Sequence, residues 1–159
     1  MLHRAYIALG SNLQDPAEQI RLALTEIAGL PQTSLVRASS LYRTAPIGYD
    51  NQPDFINAVA EIDTELPALK LLQLLLHLET SHGRERPFPN APRVLDLDLL
   101  LYDGETMQTP ELTLPHPRMH LRGFVLLPLT ELAPRLEIPG QGMACDLAAL
   151  CLGQGVLLA

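Results

Sequence analysis

Arg93-Val94-Leu95-Asp96-Leu97-Asp98-Leu99-Leu100-Leu101-Tyr102-Asp103-Gly104 sets two acids inside an otherwise apolar run, and its periodicity decides the fold. Read with the two-residue alternation of a strand, Leu95, Leu97, Leu99 and Leu101 face one side, and Val94, Asp96, Asp98 and Leu100 the other. Both carboxylates therefore share a face. At roughly 3.3 Å rise per residue their Cα atoms lie about 6.6 Å apart, a spacing that lets the two side chains converge on hard cations. Asp103-Gly104 reads as the turn that ends the strand. Acids at this spacing also occur as solvated groups at strand ends, so the pair takes its meaning from what surrounds it.

Arg84, Arg86 and Arg93 precede the acids, and His116, Arg118, His120 and Arg122 follow them. Acids beside cations form ordinary ion pairs, but acids with surplus guanidinium forks also suit a magnesium polyphosphate, which carries metal and anion together. Five of the eleven Lys and Arg residues fall between 84 and 122, a local basic patch in a chain of net charge -7. That balance argues against a broad nucleic-acid footprint and leaves room for a small anionic ligand. No Gly-rich phosphate cradle is present, so side chains and metal must do the phosphate binding.

The length of 159 residues and 47% hydrophobic content predict a single domain over residues 1–159 with a buried core. No apolar run approaches a membrane span or a signal peptide, so a cytoplasmic monomer acting on small molecules, with no nucleic-acid or membrane partner, is expected. Cys145 and Cys151 lack metal-ligand spacing and read as buried thiols.

Working outward, Ala5–Leu9 predicts a strand ending in a turn at Gly10-Ser11-Asn12, a place also suited to lie near a ligand. Asp15-Pro16 predicts a helix start with Asp15 as N-cap and Gly29 as the stop. Ser34–Tyr42 and Asp54–Thr64 read as strands, with a long loop over 45–53 between them, either a functional flap or disordered. Pro67 opens a helix carrying Leu71, Leu74, Leu75 and Leu78 on its buried stripe, with Glu79 beside it and Gly83 as terminator. The proline-rich, basic stretch 84–92 feeds the acidic strand. Pro115-His116-Pro117 reads as a rigid turn, and Met119–Leu132 as a helix containing Pro128. The order strand, helix, strand, strand, helix, strand predicts an α+β fold, a ferredoxin-like βαββαβ sandwich with an additional C-terminal helical region.

Five stretches taken together carry a family resemblance. They are Tyr6–Leu13, Tyr42-Arg43-Thr44, Gln52–Ala58, Pro92–Asp98, and Leu114–Pro117 with Arg122-Gly123-Phe124. In this order and spacing the chain resembles the 6-hydroxymethyl-7,8-dihydropterin pyrophosphokinases of folate biosynthesis from residue 5 to about 134. The resemblance implies transfer of pyrophosphate from ATP, the co-substrate, to the pterin hydroxymethyl oxygen with release of AMP, and two Mg2+ ions as cofactors. It implies that Asp96 and Asp98 hold the metals, that Arg84 and Arg93 grip phosphate at the catalytic centre, and that Arg86, His116 and Arg122 make further ATP contacts. For the pterin it implies Phe55 and Phe124 as the stacking pair, Asn57 as the amide reading the ring edge with backbone groups near Thr44 and Ile47, and Asp96 at the reacting end. Without the resemblance, Phe55 and Phe124 read as core residues.

The family's Arg-Trp-Gly-Pro-Arg is here Pro89-Asn90-Ala91-Pro92-Arg93, so the tryptophan cover is missing. The loop from Arg84 to Pro92 is expected to order when nucleotide and pterin are both bound. Two other classes fit the residues alone. A two-metal nucleotidyl transferase uses the same acids but releases pyrophosphate, and a non-catalytic nucleotide- or RNA-binding module would leave the acids as a solvated edge. The charge of -7 and the lack of a strand with paired aromatics argue against RNA.

Overall fold

The computed structural model describes residues 1–45, 53–83 and 94–159. In chain order these form β1 (His3–Ser11), α1 (Pro16–Ala28), β2 (Thr33–Ala38), β3 (Tyr42–Thr44), β4 (Phe55–Thr64), α2 (Ala68–Ser81), β5 (Asp96–Tyr102), β6 (Met107–Gln108), β7 (Thr113–Leu114), α3 (Gly123–Leu132), β8 (Glu137–Ile138), β9 (Gly142–Met143), α4 (Ala144–Ala149) and β10 (Leu157–Leu158). A mixed sheet-and-helix fold with an antiparallel sheet and four helices results. Among the described residues no helix is long and apolar enough to cross a membrane.

The main sheet runs β10-β3-β4-β1-β5, with β2 pairing further along β4, and every pairing is antiparallel. β4 is buried along almost its whole length, so its polar residues Asn57, Glu61 and Thr64 are buried with the apolar ones. One sheet face, carrying Ile7, Leu9, Ala60, Ile62, Leu97 and Leu99, packs against α1 and α2. Tyr6, Val59 and Leu100 on the opposite face meet Val125, Leu126 and Leu129 of α3 and Ala144 and Ala148 of α4. The helices thus lie on both faces, two on each.

Strict alternation along β5 breaks at one point. Ile7 pairs Leu99 and Tyr6 pairs Leu101, so Leu100 is an extra residue, a bulge. Its effect is to carry Leu101 onto the α3 face with Tyr6, contrary to the alternation expected, while Tyr102 returns to the α1 face. Asp96 and Asp98 lie before the bulge and keep the shared face that the sequence predicted.

Several local expectations shift for identifiable reasons. Gly10 and Ser11 stay in β1 as ladder partners of Asn57 and Ile56, and the buried Asn12 beyond them donates through Nδ2 to the Pro53 carbonyl at 3.1 Å. Asp15 occupies the N-cap position of α1 but with φ 61 it is left-handed, and its side chain makes no capping bond. The segment expected as one strand over Ser34–Tyr42 divides into β2 and β3, with Ser39 between them donating its N–H to the Val59 carbonyl at 2.9 Å. Met119–Leu132 divides too: a single 3-10 turn, Met119–Leu121, precedes α3, with Arg122 extended between them and Pro128 inside the helix. Glu79 belongs to the buried stripe of α2, with Leu71 and Leu75. Cys151 is buried, whereas Cys145 is only half so.

One charged group lies deep on the α3 face. Glu61, 2% exposed, accepts the Tyr6 hydroxyl at 2.5 Å, Arg4 Nη1 at 2.9 Å and Arg37 Nε at 2.9 Å. Burial alone would raise its pKa, but the Tyr6 and Arg37 hydrogen bonds and the charges of Arg4 and Arg37 outweigh it and hold the carboxyl low. Arg37 also donates from Nη2 to the Leu132 carbonyl at 2.6 Å, tying β2 to the end of α3.

Candidate active site

On the α3 face of the sheet, at the end where β1 finishes and β5 begins, small residues leave a cleft. Gly10 pairs Asn57 on one side and Asp96 on the other, and Ala8 likewise pairs Val59 and Asp98. Directly opposed residues of an antiparallel pair project to the same face, so the glycine and alanine form a low floor between the acids of β5 and the amide of β4. Thr44, Phe55, Asn57, Asp96, Asp98, Arg122 and Phe124 stand around that floor.

Asn57 is held by Thr44 and given room by Gly10. Its Nδ2 donates to Thr44 Oγ1 at 3.0 Å, and a Cβ built at Gly10 would lie 3.3 Å from its Oδ1. Both Asn57 and Thr44 are buried, so the amide is oriented before any ligand arrives. Phe55 opens β4 directly opposite Thr44. Across the cleft Phe124 sits in the first turn of α3, with the Arg122 guanidinium carbon 5.6 Å from its ring centre, within cation–π range.

The acids border a second groove that also includes Glu79, Glu111, Thr113 and His116. Glu79 reaches from α2 and accepts the Leu97 backbone N–H at 2.6 Å, a bond to the peptide between the two aspartates. His116 is held down to about 4, chiefly by burial and then by the Arg122 and Arg118 charges, with Asp96 pulling the other way. The Arg118 N–H donates to His116 Nδ1 at 3.2 Å, so the neutral ring carries its proton on Nε2. At neutral pH His116 is therefore a hydrogen-bond donor without a charge.

The structure brings Thr44, Phe55, Asn57, Asp96, Asp98, Arg122 and Phe124 into one cleft and places His116 in the adjoining groove. Ile47, Arg84, Arg86 and Arg93 lie outside the described residues, as do most of the 45–53 loop and the whole of the 84–92 loop. Of Gly10-Ser11-Asn12, expected as a turn, Gly10 and Ser11 are strand, and Gly10 lines the cleft. Sequence reading missed how Glu79 engages β5. The available signal was its position four residues after Leu75 on an apolar stripe, where an acid needs a buried partner.

A half-buried carboxylate pair on an antiparallel sheet, beside an aromatic cleft with a fixed amide and Arg122 at its rim, suits a small-molecule phosphotransferase class. Residues 6–134 match the family model of 7,8-dihydro-6-hydroxymethylpterin-pyrophosphokinase (HPPK), and the chain belongs to this family. A Pseudomonas aeruginosa protein named 2-amino-4-hydroxy-6-hydroxymethyldihydropteridine pyrophosphokinase is 45% identical over 156 residues, covering 98% of this chain and 96% of that protein. Its Haemophilus influenzae namesake is 49% identical over 143 residues, 90% of this chain and 89% of its own. Among solved structures, a Plasmodium falciparum HPPK-DHPS superposes with a TM-score of 0.74 at 14% identity, a likeness of fold alone. It covers 94% of this chain, which spans under half, 45%, of the Plasmodium one.

Proposed function

We propose that the chain transfers a pyrophosphoryl group from ATP to the hydroxymethyl oxygen of 6-hydroxymethyl-7,8-dihydropterin, releasing AMP, as a step of folate biosynthesis. The hydroxymethyl oxygen bonds to the β-phosphorus, the bond from that phosphorus to the α-side bridging oxygen breaks, and the hydroxyl proton is lost. One observation carries the reading: Asp96 and Asn57 flank Gly10 in a single row across the sheet, so the acids and the ring-reading amide serve one bound molecule.

The pterin lies flat between Phe55 and Phe124, with its donor and acceptor edge on Asn57 and the backbone near Thr44, to which the family resemblance adds Ile47. Stacking accounts for its apolar faces and the preset amide for its orientation. Its hydroxymethyl group then points toward Asp96. On the nucleotide side Arg122 and the His116 Nε2–H offer donors, and Arg84, Arg86 and Arg93 supply the remaining phosphate contacts that the family resemblance implies. Asp96 and Asp98 are hard oxygen donors on one strand face above the small floor of Ala8 and Gly10, a set that fits Mg2+. When bound, two Mg2+ ions supply charge neutralisation of the triphosphate. Such transfer gains mainly from positioning and electrostatics, so no nucleophilic side chain is required.

On this reading the strand order is that of a ferredoxin-like βαββαβ sandwich, α3 and α4 are its additional C-terminal helical region, and residues 1–159 form one pyrophosphokinase domain, a cytoplasmic monomer. The test is to incubate the protein with ATP, Mg2+ and the reduced hydroxymethylpterin and to separate the products by chromatography. AMP equimolar with a diphosphorylated pterin is expected. ADP as the sole nucleotide product would mean an ordinary kinase, and an adenylylated pterin with free pyrophosphate a nucleotidyl transferase.

A further inference from the structure

The first N–H groups of a helix have no partner within it and look to a capping side chain. In α3 the N-cap residue is Arg122, whose side chain makes no capping bond. The acceptor for Gly123 N–H comes instead from 31 residues further along the chain: Gln154 Oε1, at 2.8 Å. The same amide donates from Nε2 to the Leu121 carbonyl at 2.9 Å. Its two bonds straddle Arg122.

We propose that Gln154 is a positioning residue for the cleft, clamping the backbone on both sides of Arg122 and thereby setting where Arg122 and Phe124 stand. Close approach makes the clamp possible. A Cβ on Gly123 would lie 3.1 Å from Gln154 Oε1, 3.2 Å from Val156 Cγ2 and 3.3 Å from Cys151 Cβ, tighter than such contacts ordinarily run. Glycine at 123 therefore admits the tail against the start of the helix. Beyond the clamp the tail continues as β10, pairing Leu157 with Arg43, and the Ala159 N–H donates to the Leu41 carbonyl at 2.9 Å. Its partner β3 carries Thr44, which accepts the Asn57 amide. One segment thus braces both walls of the cleft, α3 on one side and β3 on the other. This segment lies beyond residue 134, where the family match ends.

The choice of pterin as probe rests on the functional reading above, and the experiment separates the two. Affinity for hydroxymethylpterin is measured by fluorescence titration, beside the melting temperature, for the unaltered protein, Gln154→Leu, Gln154→Glu, Gly123→Ala and the Gln154→Leu/Gly123→Ala double variant. Loosening the start of α3 lowers the fraction of molecules ready to bind, so Gln154→Leu should bind pterin about fivefold more weakly, the scale of one lost cap. Gln154→Glu keeps the acceptor and loses the donor, and should fall between. The effects of Gly123→Ala and Gln154→Leu should be less than additive, because both act through one contact. Unchanged pterin affinity in Gln154→Leu, even with a lowered melting temperature, overturns the proposal, as do fully additive effects. Should Gln154→Leu fail to fold, Gln154→Glu and Gly123→Ala carry the same comparison. If the unaltered protein binds no pterin, the functional reading falls and this inference with it.

Discussion

Glu79 offers the sharpest test of how the acidic strand is held. Its side chain, 2% exposed, crosses from α2 to accept the Leu97 N–H at 2.6 Å, and Leu97 separates Asp96 from Asp98. β5 is the terminal strand of the described sheet order, with β1 on its inner side. An outward N–H on such a strand has no neighbouring strand to meet, and Glu79 supplies the acceptor. Replacing Glu79 with Leu keeps the bulk but strands that N–H in a buried place. A hydrogen bond to a charged group contributes about 1.5–3 kcal/mol, and an unsatisfied buried donor costs about 1–3 kcal/mol. We therefore expect Glu79→Leu to lose about 2–3 kcal/mol, and at 2–4 °C per kcal/mol for a chain of this size the melting temperature should fall by about 4–12 °C. Glu79→Gln retains an acceptor oxygen and should lose less than about 1 kcal/mol. Calorimetry gives the stabilities, and Mn2+ titration by electron paramagnetic resonance gives the metal affinity, which should follow the same order because the Leu97 peptide sets both flanking acids. A Glu79→Leu protein that melts and binds Mn2+ like the unaltered one would refute the reasoning. So would a Glu79→Gln protein as impaired as Glu79→Leu, since charge and not the hydrogen bond would then matter.

Asp96→Asn and Asp98→Asn should each lower turnover on the order of a hundredfold or more, the scale of losing one electrostatic stabiliser, while circular dichroism stays unchanged. In chelator their melting temperatures should be equal or slightly higher, because neutralising one acid relieves repulsion between the two; unfolding in both would remove the metal-site argument. Asn57→Leu should weaken pterin binding by more than about tenfold, since a site built to hydrogen-bond its ligand loses most when a polar partner is removed. ATP affinity, measured in the same calorimeter, should hardly move, and an equal loss for both ligands would count against the assignment. At His116 the folded ring is held to about 4 against an ordinary 6.5, so between those values the unfolded chain binds a proton that the folded chain refuses. The related stability is present above about pH 6.5 and drains away as pH falls toward 4, and His116→Gln should flatten this limb in melts made in chelator. An unaltered limb would show the slope to arise elsewhere.

Periodicity made the acidic strand legible because Asp96 and Asp98 share their face whatever happens further along, and a two-residue repeat fixes that locally. The bulge at Leu100 was not legible, since an extra residue in one strand is visible only against its partner, here β1. Helix α2 could be read from its leucines, yet the buried carboxylate of Glu79 could not be explained until β5 lay beside it. The two aromatics of the cleft show the same limit. Phe55 and Phe124 look like core residues in the sequence, and only tertiary packing places them across from one another beside Asn57. Asp15 illustrates a local rule losing to backbone shape, for its left-handed conformation leaves the side chain without a capping bond. Gln154 gave no signal, because a cap supplied from so far along the chain has no spacing to recognise.

The row from Asp96 through Gly10 to Asn57 has a metric consequence. Neighbouring strands lie about 4.8 Å apart, so two steps across the sheet hold the backbones of Asp96 and Asn57 roughly 9.6 Å from each other. Two hydrogen-bond ladders set that interval, and it cannot stretch or shorten without breaking one of them. The sheet works here as a ruler graduated in strand spacings, with the buried Asn57 amide at one mark and the Asp96 carboxylate at another. On the proposed reading, a flat ligand that engages both groups should span that interval less the reach of the two side chains, however the surrounding loops are rebuilt.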